Sequence, residues 1–310
     1  MSSPIVAVSI VLAAASTVVG QFRTAVDVVR VEALVADGGR PVAGLSAADF
    51  TLTDDGARQA ITVRPLAGAE IDVVVVLDTS ESVSGPRLEH LRAATAALLE
   101  RLASRDRATL IAFSHQLAFG PADAAPETLR PRLATLAAHG ATSLIDATTA
   151  ALVWGTGRGR PILVLVFSDG RDTASWTGVD QAFALARTSD AVVDAVVTSQ
   201  RTMADPGQTT IENRRGRPVF RVSPETSAQR RRLAAQDFLS GLTAMTGGQV
   251  FDGDAGGGLA AAFEASLAQF RTRYEITYTP TSAQPGWHTL DLRVKGHRGA
   301  SVHARRGYQC

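Results

Sequence analysis

From Ile71 onward, fully apolar runs of strand length alternate with amphipathic stretches of helix length, and few folds satisfy that pattern. The runs are IDVVVVLD at 71–78, ATLIAFS at 108–114, PILVLVFSD at 161–169 and AVVDAVVTS at 191–199. A strand that is apolar on both faces has to be covered on both, the condition of a parallel sheet held between two helix layers. Helices are predicted at 86–103, opened by Pro86 at a first-turn position, and at 126–138, 143–154, 179–188, near 229–245 and at 258–271. A Gly247-Gly248 stop and a short strand, QVFD, separate the last two. The expected core is a doubly wound, mostly parallel α/β domain.

The flanks have another texture. Residues 22–67 alternate apolar and polar positions in the short runs VDVVRVEALVAD, DFTLTDDG and ITVRPL, separated by Asp37-Gly38-Gly39 and Asp54-Asp55-Gly56. After Arg271 the alternation returns in YEITYTP, WHTLDLRV and SVHARRGY. Each flank is too small to bury a core alone, so one β-sandwich, built from both and interrupted by the α/β domain, is the expected arrangement. The predicted division is 21–68 for the β-rich N-terminal segment, 69–271 for the α/β domain and 272–310 for the β-rich C-terminal segment that packs with the first.

Residues 1–20 read as a signal peptide. Ile5 to Val19 is an uncharged apolar run, shorter than the ~20 residues that span a bilayer. Val18 and Gly20 suit cleavage before Gln21, and Ala13 and Ala15 offer an earlier site. No Lys or Arg precedes the run, so an uncleaved anchor is the alternative. An exported protein, periplasmic or extracellular, is expected, with no other membrane span.

Composition removes several classes of function. The formal net charge is +1 and aromatics are 5%, which argues against a nucleic-acid partner. Cys310 is the only cysteine, and the six histidines are scattered without HExxH, so neither a cysteine nucleophile nor catalytic zinc is expected. Charge concentrates in and just after an irregular stretch, 200–228: from Arg201 to Arg232 there are eight arginines and three acidic residues. That basic insertion follows the run at 191–199 and should emerge on the carboxyl-end face of the sheet.

The chemistry gathers where the first apolar run ends, in Asp78-Thr79-Ser80-Glu81-Ser82. Ligands of doubly wound folds bind at the carboxyl ends of the strands. One carboxylate and two hydroxyls at alternate positions of a tight loop suit a small, hard divalent cation better than zinc or copper. Two further elements reach the same edge: Thr142, ahead of the helix near Ser143, and Asp169, at the end of PILVLVFSD. The plainer reading makes Asp78, Ser80 and Ser82 an N-cap cluster, Thr142 another cap and Asp169-Gly170 an ordinary turn. Asp146 and Asp172 lie nearby in sequence and are expected to be solvated or to support the ligands.

With these residues in view, the chain resembles the von Willebrand factor type A domains that carry a metal-ion-dependent adhesion site. The likeness covers roughly 69–271, with the five signature positions Asp78, Ser80, Ser82, Thr142 and Asp169 in family order. It implies a Rossmann-like fold, magnesium, or manganese in its place, held by those five residues, and a protein partner that offers a carboxylate to the metal. The flanking pieces VVRVEALVADGGRPVAGLSAADFTLTDDG, RTRYEITYTP and VHARRGY resemble a narrower group, exported bacterial VWFA-related proteins frequent in Acidobacteria. No small-molecule substrate or enzymatic activity is expected. An aspartyl-phosphate mechanism would need an acid where Ser80 stands, and no GxxxxGK[ST] loop is present. The alternative function is a non-catalytic structural or assembly subunit of a cell-envelope complex.

Overall fold

Successive residues of one strand point to opposite faces, so a run such as Val73 to Leu77 supplies two cores at once. The computed structural model, which describes residues 28–155, 159–198, 211–214, 217–220, 224–281, 284–297 and 299–310, is built around that fact. The chain opens with β1 (Val29–Asp37), β2 (Arg40–Pro41), β3 (Phe50–Asp54), β4 (Ala57–Arg58) and β5 (Thr62–Pro65). The α/β part then runs β6 (Asp72–Asp78), α1 (Pro86–Arg101), β7 (Arg107–Phe113), β8 (Leu117–Phe119), α2 (Pro126–Ala134), α3 (Leu144–Trp154), β9 (Ile162–Ser168), α4 (Val179–Thr188) and β10 (Val192–Val197). It continues through a hairpin, β11 (Ile211–Arg214) and β12 (Arg217–Phe220), to α5 (Pro224–Thr246), β13 (Val250–Asp252) and α6 (Gly258–Arg271).

The central sheet has the order β13-β10-β9-β6-β7-β8, parallel throughout except for the edge strand β8. Val73, Val75 and Leu77 face α1, α2 and α6 through Leu91, Leu129 and Phe263. Val74 and Val76 face α3, α4 and α5 through Leu144, Ala182 and Leu239. This is the expected doubly wound class.

The last strands return to the first. β14 (Tyr274–Tyr278) lies antiparallel between β1 and β5, and β16 (Ser301–His303) flanks β1 on its other side. β15 (Trp287–Val294) pairs with β3 and with β17 (Gly307–Gln309). The resulting sheets, β16-β1-β14-β5 and β17-β15-β3-β4, share one apolar core of Val31, Phe50, Leu52, Ile276 and Leu290.

Three local expectations need correction. SVHARRGY is two strands in different sheets, because Arg305 between them turns inward: its Nε donates to Gly307 O (2.9 Å) and its Nη1 to Asp190 (2.8 Å). Gly307 is required where the second strand resumes, since a Cβ there would lie 2.3 Å from His288 O. The helix expected to 138 ends at Ala134, and β8 was not foreseen. The stretch 200–228 is not irregular throughout: it holds the antiparallel β11–β12 pair, with Ile211 opposite Phe220, and α5 begins at Pro224 rather than near 229. Proline's fixed φ favours that first-turn place. The predicted signal peptide, Val26 and Asp27 of the first run and much of the basic insertion lie outside the described residues.

The two halves are joined by buried charge. Arg273, between α6 and β14, is 1% exposed and donates to Gly247 O at the end of α5 (2.8 Å), Glu32 O in β1 (3.4 Å) and His303 O in β16 (3.3 Å). Asp194 of β10 supplies compensating charge and is itself held by Ser266 Oγ (2.6 Å) and Gln249 N (2.9 Å).

Candidate metal centre

β6 ends in Asp78, which is fully buried at the carboxyl edge of the sheet. The loop after it is pinned to β7: Thr79 N and Thr79 Oγ1 both donate to Phe113 O (2.7 and 3.0 Å). That places Ser80 N on Asp78 Oδ1 (2.9 Å) and brings Ser80 Oγ within 3.0 Å of Ser82 Oγ. Ser80 is buried and Ser82 half-buried. The loop bearing Thr142 docks directly on this one, through His139 N to Thr79 O (2.9 Å) and Glu81 N to Gly140 O (3.0 Å). β9 delivers the rest: Ser168 Oγ donates to Asp78 Oδ2 (3.3 Å), and the next residue is Asp169, 1% exposed.

The structure thus brings the loops of all five sequence-predicted residues to one edge, and the capping readings do not hold. The N-cap of α1 is Gly85, and Ser80, which precedes a single 3-10 turn, makes no side-chain cap bond. The N-cap of α3 is Ser143, one residue beyond Thr142.

Asp146 and Asp172 serve the loop that follows Asp169. Asp146 accepts from Trp176 N (3.0 Å) and Thr177 N (2.8 Å), while Asp172 accepts from Ile145 N (3.3 Å) and Ser175 Oγ (2.6 Å). Thr142 O accepts from Thr173 N (2.8 Å) and Ala174 N (2.9 Å), so the same loop also braces Thr142. It ends by presenting Trp176, 97% exposed.

Electrostatically the site favours a cation. Burial, followed by the nearby Asp169 carboxylate, pushes the Asp78 carboxyl up to about 7, against the bonds from Ser80 and Ser168. A divalent ion between two buried acids would offset both the desolvation and the repulsion. The donor set is all oxygen, hydroxyl and carboxylate, which fits magnesium rather than zinc.

Gly140 is a structural requirement of this arrangement. Its φ is +72° and a Cβ would lie 2.1 Å from His115 Nδ1. Gly140→Ala is expected to lower stability by about 1–2 kcal/mol from the left-handed backbone alone, read by urea unfolding.

A second cluster escaped the sequence reading because its members are far apart in the chain: Asp54, Asp55 and His288 lie within 4.8 Å of one another. His288 Nδ1 meets Asp54 Oδ1 (3.1 Å) and Asp55 Oδ2 (3.2 Å), and Nε2 meets Gln284 O (2.7 Å). Acceptors face both nitrogens and favour the protonated ring; the Gln284 carbonyl, ahead of Asp54, raises its pKa. Asp54 Oδ2 also accepts from Tyr278 (3.0 Å) and Tyr308 (2.9 Å). Asp54 and His288 belong to the same sheet, and the cluster reaches the other antiparallel sheet through Tyr278 of β14.

The sequence profile described as von Willebrand factor type A domain matches residues 73–171, the span from β6 to just past Asp169. This segment is a von Willebrand factor type A domain. The match contains Asp78, Ser80, Ser82, Thr142 and Asp169. No curated protein matches the chain in sequence. Solved structures similar to it include an aerotolerance-related membrane protein from Bacteroides fragilis, in a form with multiple mutations to serines (TM-score 0.44, 17% identity, covering 64% of this chain and 98% of that one). BatB from Bacteroides thetaiotaomicron gives a TM-score of 0.46 at 18% identity, with 64% and 98% covered. A von Willebrand factor type A protein from Catenulispora acidiphila gives 0.48 at 12% identity, with 86% and 75% covered. Among the described residues no helix of the type A domain or its flanks is long and apolar enough to cross a membrane.

Proposed function

We propose that the chain is an exported, non-catalytic binding module in which Asp78, Ser80, Ser82, Thr142 and Asp169 hold a magnesium ion, and that a protein partner completes the site with a carboxylate. The observation that carries this reading is the buried acid pair Asp78 and Asp169 beside the Ser80 and Ser82 hydroxyls, 3.0 Å apart, at the sheet's carboxyl edge. Bound magnesium would supply a positive centre that accepts an external carboxylate. The chain's own residues do the positioning: Thr79 fixes the serine loop to β7, and Thr173 and Ala174 fix Thr142.

A protein partner is favoured over a small ligand by Trp176. A wholly exposed tryptophan on a loop tied down through its own backbone amide is the residue type that most often anchors protein interfaces. Export rests on the apolar run from Ile5 to Val19.

Calorimetric titration with magnesium tests the metal. The wild-type chain should bind saturably and gain about 2.7 kcal/mol of stability at a hundredfold excess over Kd. The double variant Asp78→Ala, Ser80→Ala should do neither while keeping its circular dichroism spectrum. A wild-type chain that takes up no magnesium or manganese overturns the proposal and moves the assembly-subunit reading to the front.

A further inference from the structure

Asp169 faces two ways. Besides standing beside Asp78 it lines a cavity of about 720 Å³ between α1 and the start of α6. The floor is Phe167, and Val83, Ala94 and Leu259 make apolar walls. The polar part of the lining is Arg87 and His90 of α1, both exposed, with Thr198 and the acidic Asp254 besides Asp169 itself. Arg87 also reaches the metal loop, donating from Nη1 to Ser82 O (3.2 Å). Asp169 and Arg87 are thus shared between the candidate metal loops and the cavity.

We infer that this cavity receives a large apolar side chain that neighbours the partner's carboxylate, so that the module recognises an acidic-apolar pair on an exposed segment of a protein. The inference rests on the function proposed above and names the partner's chemistry. Three features support it. The cavity's size is that of sites that enclose whole ligands, ample for an aromatic or branched aliphatic side chain. Phe167, Val83, Ala94 and Leu259 give it an apolar face, against which a polar occupant would lose hydration without a partner. Arg87, the one arginine of the lining, also reaches Ser82 O of the metal loop and so stands between the cavity and the loop, where it can pair with the acidic member of the segment.

Ala93 on α1 and Ala260 on α6 also line the cavity and are exposed, so Ala93→Trp and Ala260→Trp fill it from opposite walls without entering the core. Phage-displayed random peptides are panned on the full chain with magnesium present, and eluates are compared with and without chelator. The inference expects recovered peptides to carry Asp or Glu next to Phe, Trp, Leu, Ile or Met. Each tryptophan variant should bind a synthetic copy of such a peptide about tenfold to a hundredfold more weakly, the range set by burying one apolar side chain. Magnesium titration of the variants should match wild type, which separates this inference from the metal proposal. Recovery of acidic peptides with no apolar preference overturns the inference and leaves the metal site standing. So does undiminished binding by both variants. Failure to recover any magnesium-dependent peptide overturns the inference as well, whereas failure of wild type to bind magnesium overturns the reading beneath it.

Discussion

Arg273→Ala is expected to lower the unfolding free energy by about 3–5 kcal/mol, the range for removing one partner from a buried charge network. The guanidinium is fully enclosed, and burial pulls its pKa down while Asp194 and Glu32 support the charged form. Alanine would leave Asp194 buried with only Ser266 and Gln249 as donors, and would strand the carbonyls of Gly247, Glu32 and His303. Those carbonyls belong to the end of α5 and to β1 and β16, so the variant loosens the joint between the α/β part and the antiparallel sheets. Urea unfolding followed by circular dichroism gives the number. A loss below about 1 kcal/mol would mean that water replaces the guanidinium and that the joint depends on Arg305 instead.

The second large effect concerns Glu32, in the same joint. Burial, followed by the charge of Asp190, pushes its carboxyl from 4.5 up to about 7, and Glu275 adds to the rise while Arg30 and Arg305 oppose it. Because the folded pKa lies above the unfolded one, the folded chain holds the extra proton between those two values. Stability contributed by the neutral acid is complete below pH 4.5 and declines as pH rises to about 7, by about 3 kcal/mol in all. Glu32→Gln should remove that slope, so the variant gains on wild type by roughly that amount near pH 8 and by little near pH 5. Urea midpoints for both chains at the two pH values decide it. Parallel curves would show that the Glu32 carboxylate stays charged beside its arginines.

These two residues show why part of the molecule was legible and part was not. The two-faced strands β6 and β9 announce themselves, since each needs cover on both sides and each residue's environment follows from its neighbours in sequence. The candidate ligands were legible for a related reason. Asp78 and Asp169 terminate apolar runs, and the carboxyl edge of a parallel sheet is a shared location. Arg273 and Glu32 carry no such mark. Their burial depends on partners roughly 240 residues away in the chain, as in the Arg273 bond to Glu32 O. The contact of His288 with Asp54 was hidden likewise, and Arg305 turned one apparent strand into two. The roles of Asp146 and Asp172 fall between: their place near the site was readable, but their amide and hydroxyl donors belong to an irregular loop with no period.

The interleaving of first and last strands sets a schedule for biosynthesis. β1 lies between β14 and β16, and Val29 finds Tyr278 opposite it only after roughly 250 further residues have been made. At about 5–20 residues per second that is on the order of 10–50 s. Throughout that interval β1 carries an apolar face without its sheet, and the α/β part closes its second core only when α6 arrives, just ahead of β14. The final forty or so residues from Thr272 complete both antiparallel sheets and cover that face. A chain truncated between α6 and β14 keeps its candidate metal ligands and leaves that face of β1 uncovered.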